Sequence, residues 1–195
     1  NSMKKSFYLF RHGQTDMNLA RRWQGRLIDA PLNPTGIRQA ETLADAVKPL
    51  RIQAVFSSPL LRAVQTAKIV VAAIGAPLFI DDGLIEGCFG EAEGKTLQEI
   101  HALFPDLSAR WENLDADTLD TRFPNGESKR EIQTRILRAL TDIAETQPFE
   151  RIGISCHSAA IRCTMLAFGQ KYPQVPHGVP FRLEWDGKNF SGEQK

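Results

Sequence analysis

Apolar residues fall along this chain in two alternating rhythms. Short unbroken runs read as strands buried on both faces: Phe7-Tyr8-Leu9-Phe10, Ala54-Val55-Phe56-Ser57, Leu78-Phe79-Ile80 and Arg151-Ile152-Gly153-Ile154-Ser155. Between them, apolar positions recur at helical spacing. Ile37, Ala40, Leu43, Ala44 and Val47 follow Asn33-Pro34, a capping residue ahead of proline, and predict a helix. Ser58-Pro59 opens a second predicted helix carrying Leu60, Val64, Ala67 and Val70-Val71. Ile132, Ile136, Leu140 and Ile143 mark a long third, and Ile161, Met165 and Phe168 mark a fourth directly after Cys156-His157-Ser158. Phe181 to Trp185 predicts an edge strand. Strands that alternate with helices imply an α/β fold, a three-layer α/β/α sandwich around a mostly parallel sheet.

Residues 81–126 break the rhythm. They hold glycines, one short helix near Leu97 to Phe104, and the interruption Phe123-Pro124-Asn125-Gly126. This stretch reads as an excursion beside the sheet, where a substrate lid would sit.

At 195 residues the chain is expected to form a single domain, 1–195, burying roughly 70% of its unfolded surface. Asn1-Ser2 ahead of Met3 reads as an expression scar. Acidic and basic residues nearly cancel, 23 against 24, with no long charge run, so no nucleic-acid or membrane partner is expected. The longest apolar run, Ile69 to Ile74, is too short to span a bilayer, and the N-terminus lacks an apolar signal segment. Cys88, Cys156 and Cys163 are an odd number without metal spacing and imply reduced thiols in a cytoplasmic protein. Four histidines without a ligand-like pair predict no metal site.

The candidate chemistry lies where strands end. Arg11-His12-Gly13 follows the first strand. A neutral imidazole is a nucleophile, a guanidinium holds phosphate oxygens bidentately, and glycine permits close approach. Ser57-Ser58-Pro59-Leu60-Leu61-Arg62 follows the second strand and His157 a later one. In a parallel sheet these ends share one rim, and two of them open helices, whose free amides favour anions. The chemistry assigns His12 to attack on phosphorus, Arg11 and Arg62 to charge neutralisation, and His157 to binding of the same group. Glu86 is the candidate acid for the leaving oxygen and the base for the water that follows. No cofactor is required, since cationic side chains take the place of Mg²⁺. Cys156 adjoins His157 and is the thiol to watch for oxidation. His101 and His177 show no partner spacing and read as surface residues. Arg21-Arg22 suits attraction of an anionic substrate tail, and Arg21 equally suits a solvated turn. Trp23 and Trp111 are candidates for the pocket entrance.

At these residues the chain resembles the histidine phosphatase superfamily, the phosphoglycerate-mutase-like group. Arg11-His12-Gly13-Gln14-Thr15 with Asn18 is similar to its opening signature; Arg22-Trp23-Gln24-Gly25, Pro31-Leu32 and Gly36 to Ala40 to its second block; Ser57 to Ala67 to its third. Leu84 to Gly94 resembles the acid/base segment, and Gly126-Glu127-Ser128 the start of the next helix. The resemblance implies a phosphoglycerate mutase-like fold, phosphorylation of His12, and proton donation by Glu86. Arg11, Arg62 and His157 complete the implied phosphate pocket, and Asn18, Gln24 and Gly25 match positions lining the phosphoryl group or substrate. Asn18 equally suits a helix cap, and Gln24 a loop.

The departures are Gln14 for the commoner glutamate, Cys156 for a small hydroxyl residue, and Ser158-Ala159 where the family usually has Gly-Gly. Positive φ at Ser158 would be strained; an ordinary helical conformation would instead add a hydroxyl to the pocket. The mutases of the group are typically longer after the acid/base segment and carry tandem arginines there; this chain has only Arg110 and Arg122, well separated. Hydrolysis of small-molecule phosphate monoesters is therefore expected, from a monomer or homodimer. A cofactor-dependent phosphoglycerate mutase and a non-catalytic phospho-ligand binder are the alternatives.

Overall fold

Strand β1 (Lys5–Arg11) alternates its buried residues between two cores. Phe7 and Leu9 join a cluster with Ile132, Ile136 and Leu140, while Tyr8 and Phe10 pack with Leu43, Val47 and Val70. Both faces of the strand are therefore covered, which is why its sequence is an unbroken apolar run. The structure is a computed structural model and describes residues 3–193, so the Asn1-Ser2 scar lies outside the described residues.

Among the described residues the sheet has six strands, in the order β3 (Leu78–Ile80), β2 (Ala54–Ser57), β4 (Arg151–Cys156), β1, β5 (Pro180–Trp185) and β6 (Phe190–Gly192). The first four are mutually parallel, and β5 and β6 are antiparallel additions. Helices α2 (Pro34–Val47) and α3 (Leu61–Ile74) cover one face; α6 (Lys129–Thr146) and α7 (Ser158–Leu166) cover the other. This is the three-layer α/β/α arrangement. Burying Ile132, Ile136 and Leu140 of α6 contributes about 1.5–3 kcal/mol each. Ser128 and Glu131 close a capping box at its start.

Four local expectations are corrected. The second long helix opens at Leu61 rather than at Ser58-Pro59, because Leu60 is still extended at ψ 140. Ile37 lies on the outer side of α2 and is 42% exposed. Helix α7 ends at Leu166, so Phe168 packs from the turn beyond it. Phe181 to Trp185 is not at the sheet edge, because the three-residue β6 pairs outside it.

The 81–126 stretch packs against the α6 and α7 face through Leu84, Ile100, Trp111 and Phe123. It carries α4 (Leu97–Leu103), as expected near Leu97, and beyond Phe104 a second helix, α5 (Pro105–Glu112), that no apolar spacing predicts. The short helix α1 (Asp16–Leu19) was not anticipated either. Among the described residues, no helix is long and apolar enough to cross a membrane.

Candidate active site

Sheet register brings the two outlying imidazoles together. In the parallel β1–β4 pair, Arg11 lies opposite Cys156, and His12 N–H donates to the Cys156 carbonyl at 3.1 Å. The next residues, His12 and His157, therefore leave the sheet side by side, with ring centroids 5.2 Å apart. On the far side of β4, Ser58 N–H donates to the Ser155 carbonyl at 2.9 Å. Arg62, in the first turn of α3, reaches back to His12 from there. The site thus lies where the chain order reverses, beyond the carboxyl ends of the strands.

His12 is buried, and its Nδ1 lies 2.6 Å from the Gly13 carbonyl oxygen. Only a protonated Nδ1 can donate there, which leaves the lone pair on Nε2. Consistently, Arg62 Nε donates to that Nε2 at 3.2 Å. Burial, then the neighbouring His157, Arg62 and Arg11, hold the His12 ring neutral by pushing its pKa well below the ordinary value. Close chain packing keeps the turn in place: a Cβ on Gly13 would stand 2.3 Å from the Gly36 carbonyl oxygen at the start of α2.

Arg62 is almost fully buried and anchored by the Gly25 and Ile28 carbonyls, at 2.7 and 3.0 Å. Gly25 has φ +56, and a Cβ there would overlap Glu93. Arg11 gives Nη1 to the Val175 carbonyl at 2.9 Å, while its buried Nε has no partner in the protein. Burial lowers its pKa to about 10, with Glu86 pulling the other way.

His157 is the residue before α7 and is completely buried. Leu60 N–H donates to Ser58 Oγ at 3.3 Å, and that hydroxyl is 2.7 Å from His157 Nε2. With the Ser58 proton directed to Nε2, the His157 proton sits on Nδ1, a buried donor without a protein partner. Burial, then Arg62 and Arg11, keep this ring neutral too.

Glu86 is buried and lies across the start of α7. Its carboxylate accepts from the amides of Gly87, Ala160 and Ala159, at 2.8, 3.0 and 3.2 Å. A carboxylate belongs there because the first amides of a helix have no internal partner. Its own carbonyl accepts from Arg26 at 3.1 Å and Arg135 at 3.3 Å, and both arginines bind Glu127. Nothing in the sequence marked Arg26 or Arg135, because their shared partner is a tertiary contact.

Gln24 is buried with Oε1 unpartnered, and Asn18 uses Oδ1 to accept from Thr15 N–H in the capping box of α1. Both border a cavity of about 720 Å³ together with Arg11, His12, Gly25, Arg62 and Glu86. The 81–126 stretch adds Phe89, Leu97, Trp111 and Glu112 to the wall, and Trp23 faces it as well. Arg162, which no motif or spacing in the sequence marks, also borders this cavity, with Nε buried and unpartnered. His157 does not itself border this cavity, although its ring contacts Ser58 Oγ and lies 5.2 Å from that of His12.

Two expectations change at the site, at His177 and Cys156, and the choice left open at Ser158 is decided for the helical alternative. His177 is not a surface residue: its Nδ1 lies 2.5 Å from the His12 carbonyl, and its ring centroid is 5.7 Å from that of His12. Ser158 is the first residue of α7 with ordinary negative φ, so it carries no left-handed strain and borders the cavity. Cys156 is fully buried, and burial pushes its thiol far up, which suppresses the reactive thiolate. Arg21 is exposed in a turn at φ 57, whereas Arg22 beside it borders the cavity; His101 is at the surface, as expected, and pairs there with Glu112. Among the described residues, no group of three or more His, Cys, Asp or Glu side chains is placed to hold a metal ion.

The chain matches the family model described as the histidine phosphatase superfamily (branch 1) over residues 7–180. It is 32% identical over 167 residues to an uncharacterized phosphatase PhoE of Bacillus subtilis (strain 168), covering 86% of this chain and 79% of that protein. It is 36% identical over 158 residues to a probable phosphoglycerate mutase GpmB of Proteus mirabilis (strain HI4320), covering 81% and 72%. A solved phosphoglycerate mutase from Bacillus anthracis str. Sterne shares the fold, with a TM-score of 0.88 at 21% identity over 100% of this chain and 93% of that one.

Proposed function

The chain belongs to the histidine phosphatase superfamily, and we propose that it is a phosphatase hydrolysing small-molecule phosphate monoesters through a phosphohistidine on His12. The observation that carries this reading is the pairing of a neutral His12 Nε2 lone pair with two buried, unpartnered donors, Arg11 Nε and His157 Nδ1. A buried donor without a partner costs about 1–3 kcal/mol, and a tetrahedral anion offers the acceptors that such donors fit.

The substrate phosphoryl group takes hydrogen bonds from Arg11, Arg62 and His157. Arg62 Nε turns from His12 Nε2 to a phosphoryl oxygen, which frees the lone pair. Glu86, a carboxylate in the ligand-free site, takes up the proton of a monoanionic phosphate monoester as it binds; Nε2 then attacks phosphorus, the ester P–O bond breaks, and the Glu86 carboxyl passes that proton to the leaving oxygen. Glu86, now a carboxylate, takes a proton from water as the water oxygen attacks phosphorus. The N–P bond breaks, its electron pair returns to Nε2, and inorganic phosphate leaves with Glu86 protonated again. Three cationic or donor side chains neutralise charge that a divalent cation carries in other phosphoryl-transfer enzymes, so the reaction is read as metal-independent. Gln24, Gly25 and Asn18 shape the phosphoryl end of the cavity. The 81–126 stretch encloses the alcohol portion of the substrate. Three free thiols suit a cytoplasmic setting.

The relatives' names include a probable mutase, which makes transfer to a phosphoglycerate the competing outcome. The test is p-nitrophenyl phosphate with EDTA present, on the wild type and His12→Ala. Hydrolysis that is lost in His12→Ala, with an acid-labile, base-stable phosphoenzyme in the wild type, is expected. An undiminished His12→Ala rate overturns the covalent mechanism. Isomerisation of 3-phosphoglycerate with catalytic 2,3-bisphosphoglycerate, faster than phosphate release, overturns the phosphatase assignment.

A further inference from the structure

Two peptide units flank Gly13, and each is gripped at both ends. In the unit joining His12 to Gly13, the N–H donates to Thr66 Oγ1 at 3.0 Å and the carbonyl accepts from His177 Nδ1 at 2.5 Å. In the unit joining Gly13 to Gln14, the N–H donates to Gln39 Oε1 at 2.8 Å and the carbonyl accepts from His12 Nδ1 at 2.6 Å. The last of these bonds decides which His12 nitrogen holds the proton. Glycine has broad torsional freedom, so the direction of its carbonyl is set by these grips rather than by a side chain of its own.

Thr66 and Gln39 come from the regular helices α3 and α2. His177 comes from the irregular segment between α7 and β5, next to Gly178 at φ +75. The same segment gives the Val175 carbonyl to Arg11 Nη1. Burial, then the nearby Arg11, lower the His177 pKa to about 4, so at neutral pH its ring carries a single proton. A carbonyl partner requires that proton on Nδ1.

We infer that His177 is a positioning residue: its Nδ1–H, donated to the His12 carbonyl, keeps the Gly13 carbonyl facing His12 Nδ1 and so keeps Nε2 as the nucleophilic nitrogen. The kinetic consequence rests on the phosphohistidine reading; the tautomer does not. His177 itself touches neither the phosphoryl group nor the leaving oxygen. It acts through the main chain of the residue that does.

Three substitutions separate this role from packing. Asparagine places an amide nitrogen where Nδ1 stood, glutamine carries its amide one bond too far, and leucine fills space without a donor. The readouts are the ¹⁵N signals of the His12 ring in the ligand-free protein, and kcat and KM for p-nitrophenyl phosphate. In His177→Leu, kcat is expected to fall about tenfold with KM within about twofold, the scale of one lost hydrogen bond, and the His12 signals move from pure Nδ1–H toward a tautomer mixture. His177→Asn restores both readouts and His177→Gln does not. A folded His177→Leu that keeps the wild-type tautomer overturns the inference, as does an equal kcat loss in all three variants without a tautomer change. If leucine prevents folding, the asparagine–glutamine pair decides, and indistinguishable spectra and kcat overturn it. If the wild type does not hydrolyse phosphomonoesters, the phosphohistidine reading falls by itself, and the His12 signals still decide the part assigned to His177.

Discussion

Replacing Glu127 by glutamine tests whether a charge outside the cavity governs the carboxyl inside it. Glu127 accepts from Arg26 Nη2 at 2.5 Å, Arg135 Nη2 at 3.0 Å, Arg135 Nε at 3.1 Å and Cys88 N–H at 2.9 Å. The two arginines direct other donors at the main chain around the candidate acid: Arg26 to the Glu86 carbonyl, and Arg135 to the carbonyls of Gly83, Ile85 and Glu86. Glutamine keeps the shape and one acceptor but leaves two guanidiniums uncompensated. Breaking a fully buried pair costs about 3–5 kcal/mol. Here Glu127, Arg26 and Arg135 are 19%, 29% and 23% exposed, and solvent screening reduces the expected loss to about 2 kcal/mol. For a chain of this size that is a fall in Tm of about 4–8 °C.

The pH dependence gives the same prediction a second edge. Burial alone would raise the Glu127 pKa, but the Arg135 hydrogen bond, the Cys88 amide and the two guanidinium charges outweigh it, and the folded value lies below the ordinary 4.5. A lowered folded value means a stabilisation complete above the unfolded pKa and lost as pH falls through the folded one. Urea unfolding should therefore show a wild-type advantage that is flat above about pH 5 and closes at lower pH. On p-nitrophenyl phosphate, kcat should fall about tenfold through misplacement of Glu86, with less change in KM. A stability gap under about 0.5 kcal/mol at neutral pH, or a gap undiminished near pH 3, refutes the reasoning.

Two further expectations concern the cavity. His12 and His157 are held below the ordinary histidine value of 6.5, and His177 is held at about 4, with burial the largest cause for each. The unfolded chain therefore binds more protons below about pH 6.5, and stability should drop on acidification with up to about 1.4 kcal/mol per pH unit from each ring. Denaturant titrations between pH 7 and 5 check this, and a flat profile sinks it. Arg162 presents a guanidinium to the cavity, with only a 3.5 Å contact from Nη1 to the Pro173 carbonyl and no acidic partner among the described residues. Arg162→Met should raise KM for 3-phosphoglycerate by about fivefold or more and leave KM for p-nitrophenyl phosphate within about twofold. Parallel changes in both KM values refute a role in recognising a second anionic group.

What could be read from the sequence was what strand order controls. Arg11-His12 and Cys156-His157 each end an apolar run, and parallel pairing puts such ends on one rim, so their meeting needs no knowledge of side-chain contacts. Arg62 was legible for the same reason, one turn into a helix after β2. His177 was not, because its place depends on how an irregular segment returns to the sheet before β5. The Glu127 clamp was hidden differently: Arg26 and Arg135 are 109 positions apart in the numbering, and neither lies on an apolar stripe. Strand β6 is not legible because Phe190-Ser191-Gly192 is neither an apolar run, as the equally short β3 is, nor long enough to alternate. Ile37 followed helical spacing but faces outward, since the apolar stripe of α2 is narrower than the periodicity implied.

The site's charges set folding against binding. Arg11 and Arg62 are desolvated, and Glu86 is the charge that most favours the ionised form of each. Arg62 also has Asp29 and Glu93 nearby, whereas Arg11 meets only further cations, Arg162 and Arg62. Yet the Glu86 carboxylate is turned to the amides at the start of α7, which it caps, so it is shared between two duties. The unpartnered donors of Arg11 and His157 add to the cost of the ligand-free fold. An anion at that point removes these costs together: it supplies acceptors to the donors and countercharge to the guanidiniums, and it frees Glu86 from compensating them. Groups fixed in this way need little rearrangement when charge develops on the phosphoryl oxygens, which is the condition under which electrostatic stabilisation in a buried site is most effective. The same burial that makes this rim expensive to fold therefore favours an anion over a neutral ligand of similar size, because only the anion repays the desolvation already incurred by the arginines.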